Sequence, residues 1–168
     1  METNNFSRRS FVKTSSAITA STILTAPHIA RAVENDKVLK IGLVGIGGRG
    51  SGAAAQAMNA DDNVALTAIG DLFEDRIKLR SRILKARGKS KYQVTPETTF
   101  TGFDAYKKVI DSGVDVVILT SPPSFRPQHL EYAVEKGVHC FFEKPVAVDA
   151  SGVRKVIELA KKAKEKNL

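Results

Sequence analysis

From about residue 38 onward, short apolar runs alternate with longer amphipathic stretches. The apolar runs predict strands that are covered on both faces. These runs span residues 38–44, 64–69, 114–120 and 138–142. The predicted helices between and after them span residues 51–59, 72–88, 104–110, 127–136 and 151–168. Strands that alternate with helices form βαβ units, so the pattern predicts an α/β fold with a doubly wound, mostly parallel sheet.

Two stretches of this pattern are harder to assign. The polar segment from Lys89 to Thr99 has room for a short third strand near Tyr92–Val94, after which Phe100–Phe103 leads into the next helix. In the last helix, the spacing of apolar residues predicts a buried side, with the lysines outward. The residues predicted to face inward are Val153, Val156, Ile157 and Ala160.

The composition is that of about one soluble globular domain, since the chain has 168 residues, of which 42% are apolar and 26% charged. A single cysteine excludes an internal disulfide framework and a zinc site built from cysteines. The net charge of +8 is spread along the chain with acidic residues interleaved, which does not favour a nucleic-acid partner. No apolar run is long enough to span a bilayer.

The first 32 residues differ from the rest. Ser7-Arg8-Arg9-Ser10-Phe11-Val12-Lys13 precedes a mildly apolar stretch over residues 17–26 and then Ala30-Arg31-Ala32. This is the order of a secretory signal, and the arginine pair resembles the twin-arginine export motif, with Val12 in place of leucine. We therefore expect a signal peptide over 1–32, a mature domain over 33–168, and delivery by the twin-arginine translocase to the periplasm or cell envelope. The alternative is an ordinary basic amphipathic helix.

A glycine-rich turn follows the first predicted strand and opens a helix of small residues. Its sequence, Gly45-Ile46-Gly47-Gly48-Arg49-Gly50, fits the G-x-G-x-x-G fingerprint of a Rossmann fold. The first glycine permits a tight turn, the second lets a pyrophosphate approach the backbone, and the last allows close helix–strand packing. The helix N-terminus adds free N–H groups. We expect this turn to bind a dinucleotide; the alternative is a glycine turn that binds a mononucleotide or nothing.

Asp71 completes the fingerprint at the end of the second strand, 21 positions after Gly50. Its carboxylate is expected to accept hydrogen bonds from both hydroxyls of the adenine ribose and to repel a 2′-phosphate. Leu72 and Phe73 follow it, with no basic residue directly after the acid, so the sequence favours NAD over NADP. Arg76, one helical turn further on, favours NADP, because a guanidinium group there is placed to reach a 2′-phosphate.

Three features together resemble the glucose-fructose oxidoreductase and inositol dehydrogenase family (Gfo/Idh/MocA). They are the fingerprint, Thr120-Ser121-Pro122-Pro123 after the strand over 114–120, and Gly137-Val138-His139-Cys140-Phe141-Phe142-Glu143-Lys144-Pro145. The resemblance covers residues 38–168. It implies a Rossmann domain that binds NAD(P), a second α/β domain for a sugar or polyol substrate, hydride transfer between a sugar or cyclitol carbon and nicotinamide, and a homo-oligomeric full-length form.

The resemblance also implies roles for particular residues. Lys144 would be the catalytic residue, in contact with substrate and nicotinamide ribose, and would assist proton transfer at the reacting hydroxyl. The residue before a proline is held extended, so Lys144 should project from the carboxyl end of a strand, where α/β sheets bind ligands. Glu143 would position the nicotinamide end, and Ser121 and Pro122 would line the cofactor cleft.

The chain departs from the family pattern at two points. Arg126 stands where many members have a histidine near the nicotinamide. His129, one turn further on, is expected to pack or face solvent, and His139 and Cys140 are expected to be structural. The chain also stops at Leu168, before the family's substrate domain. We therefore expect either a fragment or a truncated product, inactive alone though able to bind cofactor.

Three functions remain open from the sequence. The first is an NAD-dependent oxidoreductase that acts on a sugar-like secondary alcohol. The second is an NAD-dependent glycosidase of the same family, which oxidises its substrate transiently and breaks the glycosidic bond by elimination. The third is a nucleotide-binding module without catalysis. The sequence predicts no metal site.

Overall fold

The structure, a computed structural model, describes residues 37–168 and forms one five-stranded parallel sheet. The strands are β1 (Leu39–Val44), β2 (Val64–Asp71), β3 (Thr99–Thr101), β4 (Val116–Leu119) and β5 (His139–Phe142). Their spatial order is β3-β2-β1-β4-β5. The order reverses between β1 and β4, which is the switch point of a doubly wound sheet. The predicted Rossmann-like α/β fold is confirmed.

Five α-helices connect or follow the strands. They are α1 (Gly48–Ala60), α2 (Glu74–Gly88), α3 (Ala105–Asp111), α4 (Arg126–Lys136) and α5 (Ala150–Glu165). The helix ends follow local chemistry. Gly137 adopts the left-handed conformation that ends α4, and the Asp149 side chain caps α5 by accepting a hydrogen bond from Gly152 N–H at 2.6 Å.

Two apolar clusters sandwich the sheet. Successive residues of β4 point to opposite faces, so Ile118 packs in the cluster under α1 and α2, whereas Val117 and Leu119 pack in the cluster under α3, α4 and α5. The central strands are therefore apolar on both faces, which explains their continuous apolar runs. This burial holds the carboxyl ends of β1, β2 and β4 at one edge of the sheet.

The predicted strand at Tyr92–Val94 is wrong. There the chain makes a single bridge to β2, at Leu66, and one bond from Gln93 N–H to Leu66 O at 2.9 Å. Pro96 then begins a 3₁₀ turn, and a proline cannot donate to a strand ladder. The third strand instead forms at Thr99–Thr101, paired with the last three residues of β2.

The predicted buried side of the last helix is wrong in part. Val156 is buried as expected, but Val153 and Ile157 are 39% and 52% exposed, and Ala160 is exposed. Leu159, which the prediction omitted, is buried. Helix α5 packs mainly against α4, so only a narrow stripe is covered.

The described residues contain no helix long and apolar enough to cross a membrane. The expected twin-arginine signal over residues 1–32 lies outside the described residues and stays a prediction. So does the domain boundary at residue 33.

Candidate functional site

The glycine turn stands at the carboxyl end of β1 in a conformation that needs glycine. Gly45 has φ +90°, and a Cβ there would lie 2.6 Å from Ser121 N, at the end of the neighbouring strand β4. At Gly50, a Cβ would overlap the Gly45 carbonyl oxygen and Thr120 Oγ1. Only residues without side chains at these two places let the turn close against β4 and start α1.

Two polar side chains hold this turn from either side. From β2, Asp71 Oδ2 accepts a hydrogen bond from Ile46 N–H at 2.8 Å, and Oδ1 accepts one from Phe73 N–H at 3.0 Å. From β4, Thr120 donates its hydroxyl to Gly45 O at 2.5 Å and lies 3.1 Å from Val44 O. The sequence singled out Asp71 but not the role of Thr120. Its signal was present, because Thr120 is the first polar residue after a strand that pairs with β1.

The N-terminus of α1 is open. The helix begins at Gly48, and no side chain of the described residues caps it. A Cβ at Gly47 would meet nothing within 4 Å, and one at Gly48 would approach only Arg80, at 3.9 Å. The first N–H groups of a helix lack intrahelical partners and carry partial positive charge. Together with the space above Gly47, they fit the diphosphate of a dinucleotide.

A cavity of about 290 Å³ lies beside the turn. Asp71 stands in its wall, and aromatic rings from three segments, including those of Phe73, Tyr106 and Phe125, line much of the rest. The Arg76 guanidinium, which also lines the cavity, lies 4.9 Å from the centre of the Phe73 ring. The lining is mostly apolar with a few polar groups, as expected for a flat aromatic base next to a ribose. Ser121 and Pro122 also line this cavity.

Arg49 and Glu143 form an ion pair across the site. Arg49 Nε donates to Glu143 Oε1 at 2.7 Å, and Arg49 Nη2 approaches the same oxygen. The hydrogen bond from Arg49 lowers the pKa of Glu143, and Glu143 in turn raises the pKa of Arg49. The sequence assigned both residues to the site separately. The structure joins them, and so links the glycine turn to the segment after β5.

Arg126 lines the cavity, but backbone carbonyls bind its guanidinium group. It is 6% exposed and donates hydrogen bonds to backbone carbonyls of Ser121, Glu143 and Pro145. Desolvation by burial lowers its pKa, and the charge of Glu143 opposes that shift. Arg126 therefore binds the backbone of two loops.

His129 is buried, so of the two expectations from the sequence, packing or exposure to solvent, the first is confirmed. Its Nδ1 lies 3.0 Å from Ser121 Oγ, and its ring stacks on Tyr106 with centres 4.1 Å apart. Burial lowers the pKa of His129 to about 4. The ring is therefore neutral at pH 7 and borders the cavity as a flat surface.

The segment after β5 carries Lys144, whose side chain is exposed two residues beyond the strand. The Lys144–Pro145 peptide is cis. Burial raises the pKa of the nearby Cys140 thiol to about 12, so this cysteine is protonated at neutral pH, while His139 on the same strand is exposed. The structure thus gathers the glycine turn, Asp71, Ser121, Pro122, Glu143 and Lys144 at one edge of the sheet.

Comparison with known proteins identifies the family of the chain. The family described as "Oxidoreductase family, NAD-binding Rossmann fold" (GFO_IDH_MocA) matches residues 39–167. The chain belongs to the Gfo/Idh/MocA oxidoreductase family. That match spans every element from β1 to α5.

Among curated members of the family, an inositol 2-dehydrogenase 4 of Saccharopolyspora erythraea is 31% identical over 124 residues, covering 74% of this chain and 33% of that protein. A glycosyl hydrolase family 109 protein of Shewanella putrefaciens is 27% identical over 184 residues, covering 96% and 38%. The fold is also that of a scyllo-inositol dehydrogenase from Lactobacillus casei, solved with bound NAD(H) and scyllo-inositol (TM-score 0.60, 24% identity, covering 76% and 34%). This chain therefore spans about a third of the length of these three relatives.

Replacement of Gly50 by alanine tests the closure of the turn. We expect Gly50→Ala to lower the free energy of unfolding by about 3 kcal/mol, because the new methyl group overlaps backbone that cannot move freely. Gly52→Ala is the matched control in the same helix, since a Cβ there meets nothing within 4 Å. It should be neutral or stabilising by up to about 1 kcal/mol. Urea unfolding measures both, and equal effects would contradict the packing described.

The buried histidine predicts a pH dependence of stability. An unfolded histidine binds a proton near pH 6.5, but burial keeps the folded His129 neutral down to about pH 4. Between these values the unfolded chain binds more protons, so stability falls as the pH falls. We expect His129→Gln to remove about 2 kcal/mol of the loss between pH 7.5 and pH 5. The exposed His139→Gln is the control; urea midpoints with the same pH dependence in both variants would contradict the burial of His129.

Proposed function

We propose that this chain is the NAD-binding part of an oxidoreductase that acts on a secondary alcohol of a sugar or cyclitol. The observation that carries the proposal is the junction at Asp71, where one carboxylate holds the glycine turn and also faces the cavity beside the open helix N-terminus. Family membership supports the cofactor class. The inositol dehydrogenase relatives support the substrate class.

The chemistry of Asp71 favours NAD over NADP. A carboxylate has about four lone-pair positions, and backbone N–H groups occupy two of them. The remaining capacity suits the two hydroxyls of an adenine ribose, whereas a 2′-phosphate would bring like charges together. Arg76 also lines the cavity, but its guanidinium group lies against the Phe73 ring, 4.9 Å from the ring centre.

Lys144 is the proposed catalytic residue. Bound NAD would supply the nicotinamide carbon that accepts a hydride from the substrate. The exposed side chain of Lys144 would contact the reacting hydroxyl and, through the lone pair of its free amine, accept the hydroxyl proton as the same carbon gives up its hydride. Glu143, fixed by Arg49, would hold the backbone from which Lys144 extends.

A glycosidase is the second candidate. The glycosyl hydrolase family 109 relative aligns with 96% of this chain, more than the dehydrogenase relative does. In that reading, oxidation is transient and the glycosidic bond breaks by elimination, so cofactor is not consumed. Incubation with NAD and aryl glycosides or free polyols separates the candidates: accumulated NADH supports the dehydrogenase, and released aglycone without net NADH supports the glycosidase. Binding of NAD without either product would leave a nucleotide-binding module.

The ratio of NAD to NADP affinity tests Asp71. Asp71→Ala removes the acceptor of Ile46 N–H and so loosens the turn, which weakens the binding of both cofactors. It also removes the contacts with the ribose hydroxyls of NAD and the repulsion of the 2′-phosphate of NADP, and these two effects differ between the cofactors. We expect NAD affinity to fall about tenfold more than NADP affinity. Asp75→Ala removes a nearby exposed carboxylate and should leave the ratio unchanged. Calorimetric titrations that give equal losses for both cofactors would remove Asp71 from the ribose site.

The rate of polyol oxidation tests the catalytic role of Lys144. The measurement uses the longest form of the protein that its own cell produces. We expect Lys144→Met to lower the rate of polyol oxidation by at least about a hundredfold, because proton transfer loses its group. NAD affinity should change little. Lys161→Met, on the exposed side of α5, is the control. Unchanged NADH formation in the Lys144 variant would exclude the proposed role.

Export tests the N-terminal motif. Replacing Arg8 and Arg9 together by lysine keeps the charge but removes the arginine pair that the twin-arginine translocase recognises. We expect the variant to stay inside the cell, whereas Arg31→Lys should still reach the periplasm. Cell fractionation measures both, and continued export of the double variant would point to the general secretory route.

A further inference from the structure

We propose that Arg126 is a positioning residue, which locks the segment after β4 to the segment after β5 and thereby sets where Lys144 stands beside the cofactor. The inference rests on the proposed function, since Lys144 and the cofactor are parts of it.

The geometry of the guanidinium group carries the inference. Arg126 is the first residue of α4 and is almost fully buried. Its Nε donates to Ser121 O at 2.8 Å. Its Nη1, which has two hydrogens, donates to Pro145 O at 2.5 Å and to Glu143 O. One planar group therefore bonds to residues on both sides of Lys144 and to the segment that lines the cavity.

Apart from Arg126 and the Arg49–Glu143 ion pair, few hydrogen bonds hold the segment around Lys144. Glu143 N–H makes a bond of the β5 ladder to Leu119 O at 3.2 Å. Among residues 37–168, no backbone–backbone hydrogen bond involves Lys144, Pro145 or Val146. Pro145 has no N–H to continue the ladder. The hydrogen bonds from Arg126 thus take the place of sheet pairing where the chain leaves β5.

The chemistry requires arginine. A guanidinium group presents several donors in one fixed plane, whereas a lysine ammonium is a point charge on a flexible stem and would reach fewer of these carbonyls in the same positions. Burying the charge is costly, and the nearby carboxylate of Glu143 offsets part of that cost.

The test compares two ligands on the whole chain. ADP probes the adenosine and diphosphate positions, and NADH adds the nicotinamide end, whose fluorescence reports its surroundings. For Arg126→Lys, we expect ADP affinity within about twofold of the native value and NADH affinity lower by about tenfold, because the backbone at Ser121 and at Glu143, beside which the nicotinamide end would lie, is no longer held. The change in NADH emission on binding should also be lost. Arg154→Ala, an exposed arginine of α5, should match the native chain for both ligands.

Chemical rescue separates positioning from general damage. In Arg126→Ala, millimolar guanidinium should restore NADH affinity by filling the vacated place, and it should not affect the native chain. If Arg126→Ala fails to fold, Arg126→Gln gives the same comparison of ADP with NADH.

Three results would overturn the inference. They are variants that bind NADH with native affinity and emission, variants that lose ADP and NADH affinity equally, and a folded Arg126→Ala chain that guanidinium does not rescue. A native chain that binds neither ADP nor NADH would instead contradict the proposed function itself.

Discussion

The carboxylate of Asp71 joins the ends of two strands, and the site depends on that joint. It accepts backbone N–H bonds from Ile46, in the turn after β1, and from Phe73, in the connection to α2. Hydrogen bonds to a charged acceptor stabilise by about 1.5–3 kcal/mol each. On the other side, the Thr120 hydroxyl donates a hydrogen bond to the Gly45 carbonyl, so contacts from β2 and from the end of β4 fix the turn before any ligand binds. A fixed turn costs less to order when a diphosphate binds.

A second set of contacts extends this joint across the switch point. The side chain of Arg49, in the glycine turn, forms an ion pair with Glu143 after β5. Arg126, at the start of α4, donates a hydrogen bond to the same segment. The segment that carries Lys144 is therefore tied both to the turn and to the segment at Ser121. In the proposed function, the same ties keep the proposed proton-transfer group at a constant place relative to the cofactor.

Local pattern predicted much of this from the sequence, but long-range contacts could not be read from it. The glycine turn and Asp71 carry a spacing that only a strand–turn–helix satisfies, and the four longer strands are apolar enough to recognise. The strand at Thr99–Thr101 has three residues, which are too few to show an alternation of apolar and polar positions, so the sequence pattern wrongly favours a strand at Tyr92–Val94. The exposure of Val153 and Ile157 depends on which helices lie nearby. The burial of Arg126 depends on carbonyls of residues as far as 19 positions away.

Amide spectra of the glycine turn under titration with NAD test the central claim most directly. If a diphosphate rests on the start of α1, the N–H resonances of Gly47, Gly48, Arg49 and Gly50 should shift with saturation, and ADP should shift the same four. Gly113 and Gly137 lie in turns outside the lining of the cavity and serve as internal references. Unchanged resonances over residues 47–50, with or without shifts elsewhere, would contradict the account.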